Sequence, residues 1–300
     1  MFWPSIAAFT ATCFISLAPQ ISRSQDLKPA NWQIDTISLD EQWELTTETR
    51  KGIFKLLPYQ PIYVTAGRWS DNPNGMPRSE NPAYVVDTSA SLNRYEAKFQ
   101  ISLKAKLWQG VFGDYGDLWA AYTQVAHWQI YNVELSRPFR ELNYEPEIFL
   151  TFPMNLSWGS TKLRMLGGGF VHQSNGRVLP LSRSWNRVRF VAILTHKHWQ
   201  LNARPWIRIP DEDDENPEIS NYIGRAAFDV IYSWGNHQAY AVFTTPFNKL
   251  NRGSLQLNYV LPVISNLRLQ FQFFTGYGET VIDYNHSQTT IGIGVSFLEW

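Results

Sequence analysis

Apolar and polar residues alternate one by one along most of this chain. Ala97, Phe99, Ile101, Leu103, Ala105 and Leu107 are interleaved with Glu96, Lys98, Gln100, Ser102, Lys104 and Lys106. A period of two sends successive side chains to opposite faces, so this stretch is a strand with one apolar and one strongly polar face. At about eleven residues it has the length a tilted strand needs to cross a membrane. The alternation recurs at Ile148, Leu150, Phe152, Met154 and Leu156, and at Leu255, Leu257, Tyr259 and Leu261. It recurs again at Leu267, Leu269, Phe271 and Phe273, and at Ile291, Ile293, Val295 and Phe297. With weaker examples between these, the pattern predicts twelve strands: 57–66, 93–107, 118–130, 146–157, 162–173, 185–195, 198–209, 225–234, 237–246, 254–262, 267–275 and 289–298. An even number is what bacterial single-chain barrels require.

The connections between these strands sort by length. Shorter ones follow the second, fourth, sixth, eighth and tenth strands, among them Ser157 to Thr161, His196-Lys197, Gly235-Asn236 and Pro262 to Asn266. Longer ones follow the odd strands, including Tyr131 to Glu145, Ser174 to Ser184, Pro210 to Gly224 and Gly276 to Ser287. Strict alternation puts all the long loops on one side, as in outer-membrane barrels with short periplasmic turns and long extracellular loops. The expected fold class is therefore all-β, a twelve-stranded antiparallel transmembrane β-barrel with both termini on the periplasmic side. A soluble all-β sandwich is the alternative, but a sandwich has no reason to sort its loops by side.

Composition changes the picture in three ways. Charged residues are 17% of the chain against roughly 25% in typical soluble domains, while Trp, Tyr and Phe number 13, 14 and 18. Such an aromatic load excludes a disordered chain. Lys+Arg and Asp+Glu balance at 26 each, so no net field argues for a nucleic-acid partner. No run approaches the ~18 to 20 apolar residues of a membrane-spanning helix.

The N-terminus reads as a separate object. Ile6 to Pro19 is a mostly apolar run, followed by Ser22-Arg23-Ser24, a small-x-small pattern compatible with cleavage before Gln25. Residues 1–24 are expected to be a secretory signal, the alternative being a buried N-terminal segment. Cys13, the only cysteine, lies inside it. The mature chain then has no disulfide and no thiolate chemistry, which fits a Gram-negative envelope protein. Residues 25–56 are expected to form an N-terminal periplasmic segment and 57–300 the barrel.

Candidate chemistry sits where the fifth predicted strand meets a long loop, at Phe170-Val171-His172-Gln173-Ser174-Asn175-Gly176-Arg177. Residues i and i+2 of a strand project from one face about 6.6 Å apart, so the His172 imidazole can reach the Ser174 hydroxyl. Asn186 begins the next predicted strand, and a hairpin would set it beside His172. A serine, a histidine and an orienting third group are the minimum for an activated oxygen nucleophile. On pattern alone, polar residues closing a barrel rim remain the plainer reading. Phase sharpens the case. Asn186 shares parity with Val188, Phe190, Ala192 and Leu194, and His172 with Leu166 and Phe170, which assigns both to the lipid-facing wall. Polar groups there are costly unless they have partners or a task, and a nucleophile outside a barrel points to a substrate in the bilayer.

The runs Gly176-Arg177 and Ser182-Arg183-Ser184-Trp185-Asn186-Arg187, after His172-Gln173-Ser174, resemble the outer membrane phospholipase A family. The likeness extends through Tyr122-Thr123-Gln124, Ser136 to Pro146, Asn216-Pro217, Gly276-Tyr277-Gly278-Glu279 and Asp283-Tyr284-Asn285, covering about 57–300. It implies a twelve-stranded barrel in the Gram-negative outer membrane. The implied activity is a calcium-dependent phospholipase A1/A2 with lysophospholipase activity, activated by homodimerisation, with long loops and active site on the extracellular side. It further implies Ser174 as nucleophile, His172 as general base and acid, and Asn186 as the residue orienting the imidazole. Calcium ligands then fall on the Ser182 hydroxyl, the Arg177 carbonyl and Ser136 of a second subunit, with the Ser174 N–H and calcium-bound water forming the oxyanion site. A second calcium position maps onto Glu215, within the acidic run Asp211 to Glu215, where the family pattern has aspartate; a solvated external loop is the alternative. Gln124 resembles the family's interface polar residue, with a lumen-facing glutamine as the alternative.

Two function classes follow: a lipid hydrolase acting through Ser174, or a passive barrel. Inward Glu96, Lys98, Lys104, Lys106, Arg187, Arg189, Arg268 and Gln270 would pack a polar plug rather than line an open pore.

Overall fold

The computed structural model describes residues 37–298 apart from Asn248, Leu250 and Ser265. The expected signal segment 1–24 and the start of 25–56 lie outside the described residues. The alternating stretches form β1 (Leu56–Pro58), β2 (Ile62–Ser70), β3 (Tyr95–Trp108), β4 (Asp117–Trp128), β5 (Glu141–Trp158), β6 (Thr161–Ser174) and β7 (Ser184–His196). They continue as β8 (Trp199–Ile209), β9 (Ala226–Trp234), β10 (His237–Thr245), β11 (Ser254–Ile264), β12 (Leu267–Tyr277) and β13 (Ser287–Leu298). Each strand from β2 onward pairs antiparallel with the next, and β13 pairs back onto β2, closing the ring.

β1 and β2 occupy one position in that ring, because β1 pairs with Leu103 to Ala105 of β3 and β2 with Tyr95 to Gln100. The break falls at Tyr59-Gln60-Pro61. Pro61 has no N–H for a ladder bond, and the Gln100 side chain donates to its carbonyl at 2.8 Å. The barrel is thus twelve-stranded and all-β. No helix among the described residues is long and apolar enough to cross a membrane.

Three differences from the sequence pattern have physical reasons. β5 starts at Glu141, inside the stretch expected as a loop, and pairs from His127 onward. Its first turn of ladder carries Glu141, Asn143 and Glu145 on the inner face, so polarity hid the period. β2 runs past 66 to Ser70 through a register shift against β3. The connection 109–116 is as long as 246–253, so the sorting of loops by length is not strict at that pair.

The barrel is polar inside and apolar outside. Glu96, Lys98, Lys104, Lys106, Arg187, Arg189, Arg268 and Gln270 are buried, whereas Ile101, Ile148, Phe170, Phe190, Ile207, Leu257, Phe271, Ile291 and Ile293 are exposed. Charges taken from water must be paired. Accordingly Glu96 meets Arg68 at 2.6 Å, Arg140 at 2.8 Å and His127 at 2.9 Å, while Lys98 reaches Glu279 at 3.2 Å. Near the short turns, α1 (Leu39–Trp43), opened by a Ser38–Glu41 capping box, docks against inward side chains. Trp43 packs edge-on to Tyr59 and Trp119, and the Lys104 ammonium lies 3.2 Å from the centre of the Trp43 ring. Glu44, next in the chain, is buried and ion-paired with Lys106 at 2.8 Å, which also meets Asp117 at 2.7 Å.

Candidate active site

β6 ends at Ser174 and β7 begins at Ser184, and the two pair without interruption at this end: Ser174 with Ser184, Gln173 with Trp185, His172 with Asn186. His172 and Asn186 are therefore direct cross-strand neighbours on the outer face. The His172 Nδ1 and Asn186 Oδ1 atoms are 2.8 Å apart. An amide oxygen only accepts, so Nδ1 carries the proton and Nε2 keeps its lone pair for use as a base. Phe170, two residues earlier on that face, is 42% exposed, and Leu166 is 37% exposed. The pair stands on an apolar wall.

Ser174 shares the face and follows His172 by two residues. Its hydroxyl makes no hydrogen bond among the described residues, the loose arrangement common before a substrate draws nucleophile and base together. The chain then leaves the sheet sharply. Gly176 has φ +63°, and a Cβ there would lie 3.1 Å from the Tyr144 ring, so backbone conformation and space both call for glycine. Asn175 is buried and organises the loop 175–183. Its Oδ1 accepts from the N–H of Arg183 at 3.0 Å and of Arg177 at 3.3 Å, and its Nδ2 donates to the Leu181 carbonyl at 2.8 Å.

That loop carries Arg177 and Ser182. The Ser182 hydroxyl donates to Glu215 Oε1 at 2.6 Å, while Glu215 Oε2 is buried with no hydrogen-bond partner. Two residues assigned to separate calcium positions thus stand side by side. The long first loop fixes this arrangement: Ser79 donates to the Glu215 carbonyl at 2.7 Å and Asn81 to that of Asp214 at 3.0 Å. The acidic run is not a free cluster, since Asp214 pairs with Arg208 at 2.6 Å.

Arg177 ties its loop to the loop 129–140, reaching the Phe139 carbonyl at 3.0 Å and Glu141 at 3.3 Å. Arg140 meets both Glu96 and Asp283; burial alone would lower its pKa, but the two carboxylates push it up. Ser136 sits on the same loop, where its carbonyl accepts from the Trp128 indole at 2.7 Å. Among the described residues, no hydrogen bond joins Ser136 to Ser182, Arg177 or Glu215. Gln124 faces outward, not into the lumen: the half-exposed Tyr122 donates to its Oε1 at 3.0 Å. Through the β4–β5 and β5–β6 registers, Gln124, Tyr144 and Ser174 lie in one row across the outer wall.

No three His, Cys, Asp or Glu side chains converge on a metal position among the described residues. The available donors are serine hydroxyls, one carboxylate and main-chain carbonyls, an all-oxygen set of the kind hard cations take. Sequence reasoning missed the contact of Ser182 with Glu215, which no local pattern signals. It also passed over Gln173, although strand parity alone sends that side chain inward between two catalytic candidates.

The family model described as Phospholipase A1 matches residues 39–297. Phospholipase A1 of Escherichia coli strain K12 is 36% identical over 242 residues, covering 81% of this chain and 81% of that protein. The Salmonella typhi outer membrane phospholipase, solved as a dimer with bound calcium, aligns at 34% identity with a TM-score of 0.75, covering 83% of this chain and 95% of that one. An active-site asparagine-to-alanine mutant of Escherichia coli outer membrane phospholipase A aligns at 33% identity with a TM-score of 0.77, covering 87% and 99%.

Proposed function

This chain belongs to the phospholipase A1 family and is a hydrolase, and we propose that it cleaves phospholipid acyl esters with a Ser174-His172-Asn186 triad on its outer wall. The observation that carries the reading is the 2.8 Å bond between His172 and Asn186, on a paired rung of an apolar wall, with Ser174 two residues along the same face. The asparagine in the active site of the Escherichia coli relative supports the third role.

The chemistry follows from these groups. Ser174 Oγ attacks the ester carbonyl carbon as its proton passes to His172 Nε2. The tetrahedral adduct collapses, Nε2 returns the proton to the leaving alkoxide, and lysophospholipid departs from an acyl-serine. Water then attacks that ester with His172 again taking the proton, and fatty acid leaves as Ser174 regains its own. A lysophospholipid, which keeps one ester, is a substrate for the same steps. Asn186 holds the reactive tautomer but adds no negative charge to stabilise the imidazolium, unlike an aspartate. Positive charge near the developing oxyanion is what bound calcium supplies. Ser182, Glu215 and the Arg177 carbonyl would hold it, with Ser136 from a second subunit, and the unpartnered buried oxygen of Glu215 beside the Ser182 hydroxyl fits that use. The Ser174 N–H is the protein's own oxyanion donor.

One subunit offers fewer oxygens than the 6 to 8 calcium usually takes, so calcium binding and homodimerisation are coupled in both directions. The setting that fits is a Gram-negative outer membrane, with the loop end and active site extracellular and the turn end and N-terminal segment periplasmic. Purified protein in detergent should hydrolyse phospholipid with calcium and stop with chelator, and Ser174→Ala should be inactive. Full activity in that variant would sink the assignment.

A further inference from the structure

We infer that Gln173 is a positioning residue: from inside the barrel it fixes the rung on which the outer-wall catalytic pair operates. The inference rests on the triad reading and deepens it.

Three consecutive rungs join β6 to β7 at the site, and the alternation divides them between the two faces. His172 and Ser174, with Asn186 and Ser184, project outward; Gln173 and Trp185 project into the lumen between them. Outside, the catalytic side chains lie among exposed apolar groups and have one hydrogen bond holding them, that of His172 to Asn186. Little on that side sets how β6 lies against β7. Inside, the restraint is dense. Gln173 Oε1 accepts from Trp185 Nε1 at 2.8 Å and from Arg187 Nη2 at 3.2 Å.

Both donors are anchored. The Arg187 guanidinium stacks 3.9 Å over the Trp185 ring and pairs with Glu145 of β5 at 2.7 Å. Trp185 is 2% exposed, meets Trp206 edge-on, and belongs to an apolar cluster with Ile219, Val281 and Tyr284 from two of the long loops. One amide oxygen therefore ties β6, at the position between base and nucleophile, to the residues on either side of Asn186. Misplacement of reacting groups by about 1 Å can cost two orders of magnitude in rate. An acceptor is needed at this place, because an unpaired N–H of buried Trp185 would be costly.

The clamp touches neither substrate nor reacting atoms, so its loss should appear in turnover and not in binding. Gln173→Leu should lower kcat about tenfold with KM and the calcium half-saturation unchanged. Gln173→Glu keeps an oxygen acceptor for both donors and should restore kcat to within about threefold. Trp185→Phe keeps an aromatic ring but removes the N–H together with part of the indole; it should lower kcat at least as much, and the double variant Gln173→Leu/Trp185→Phe should lose no more than Trp185→Phe alone. Should Gln173→Leu not fold, Trp185→Phe and Gln173→Glu carry the test. Wild-type kcat in Gln173→Leu, or in Trp185→Phe where the first does not fold, overturns the clamp. So do KM rising with the fall in kcat, absence of rescue by glutamate, and additive losses. Ser174→Ala measured alongside separates the two claims: activity there removes the triad, whereas an inactive Ser174→Ala with a fully active Gln173→Leu removes only the clamp.

Discussion

The lumen near the short turns and the outer wall near the long loops are built from the same strands, yet they treat polar groups in opposite ways. In the lumen, the densest clusters match a charge more than once: Lys106 sits between Glu44 and Asp117, and Glu96 between Arg68, His127 and Arg140, while Lys104 lies against the Trp43 ring. At the rim of the long loops, the Ser174 hydroxyl makes no hydrogen bond among the described residues, and Glu215 Oε2 is buried without a partner there. A buried charge left unpaired is penalised heavily, so lumen charges are gathered against counter-charges or, for Lys104, against an aromatic face. The groups proposed to meet substrate and metal are held in place without being used up.

Breaking the outer wall should produce the largest effects on activity. Ser174→Ala should abolish ester hydrolysis while leaving a heat-stable barrel, because the hydroxyl is needed for covalent chemistry and lies at a strand end; lipid hydrolysis and heat-modified gel mobility check both halves. Chelating calcium should come next. Activity should fall to background and sedimentation in detergent should shift from dimer to monomer, whereas a monomer saturated with calcium and working at the dimer's rate would break the coupling. His172→Ala should cost more than Asn186→Ala, since the first removes the base and the second only its orientation; a general base contributes about 10²–10⁴-fold. Equal and complete loss in both would give Asn186 a different task.

Weaker effects sharpen the contrast from the two sides. Glu215→Ala should raise the calcium concentration for half-maximal activity with little change in rate at saturation, read from a calcium titration, because it removes one oxygen beside Ser182. In the lumen, Trp43→Ala should lower the stability of the folded barrel by about 3–5 kcal/mol, the usual cost of truncating a buried aromatic residue. Turnover should stay within about twofold, since the cluster of Trp43, Tyr59, Trp119 and Phe149 packs against lumen-facing side chains and not the outer wall. Denaturant unfolding and a single activity assay separate the two numbers. A large loss of turnover in Trp43→Ala would mean that the two regions are coupled.

The strands, their number and the face each side chain takes were legible in the sequence, because alternation is a local property that every residue reports for itself. Where polarity occupied both faces, as from Glu141 to Glu145, that report failed, and β5 begins earlier than its pattern shows. Proline breaks the first strand at Pro61 for an equally local reason, but one visible only once β3 is seen to pair on both sides of it. His172 and Asn186 could be set on one wall by parity and a hairpin; the roles of Ser136, Arg177 and Ser182 came from resemblance to a family, not from spacing. Closure of the barrel decided the rest. It draws Ser79 and Asn81 of the first loop, Ser182 of the loop after β6 and Glu215 of the loop after β8 to one rim. It also sets Trp43 under Lys104, some sixty residues away in the chain. Such contacts join residues whose separation in sequence carries no period, so only the ring of pairings that closes β13 onto β2 fixes which loops meet.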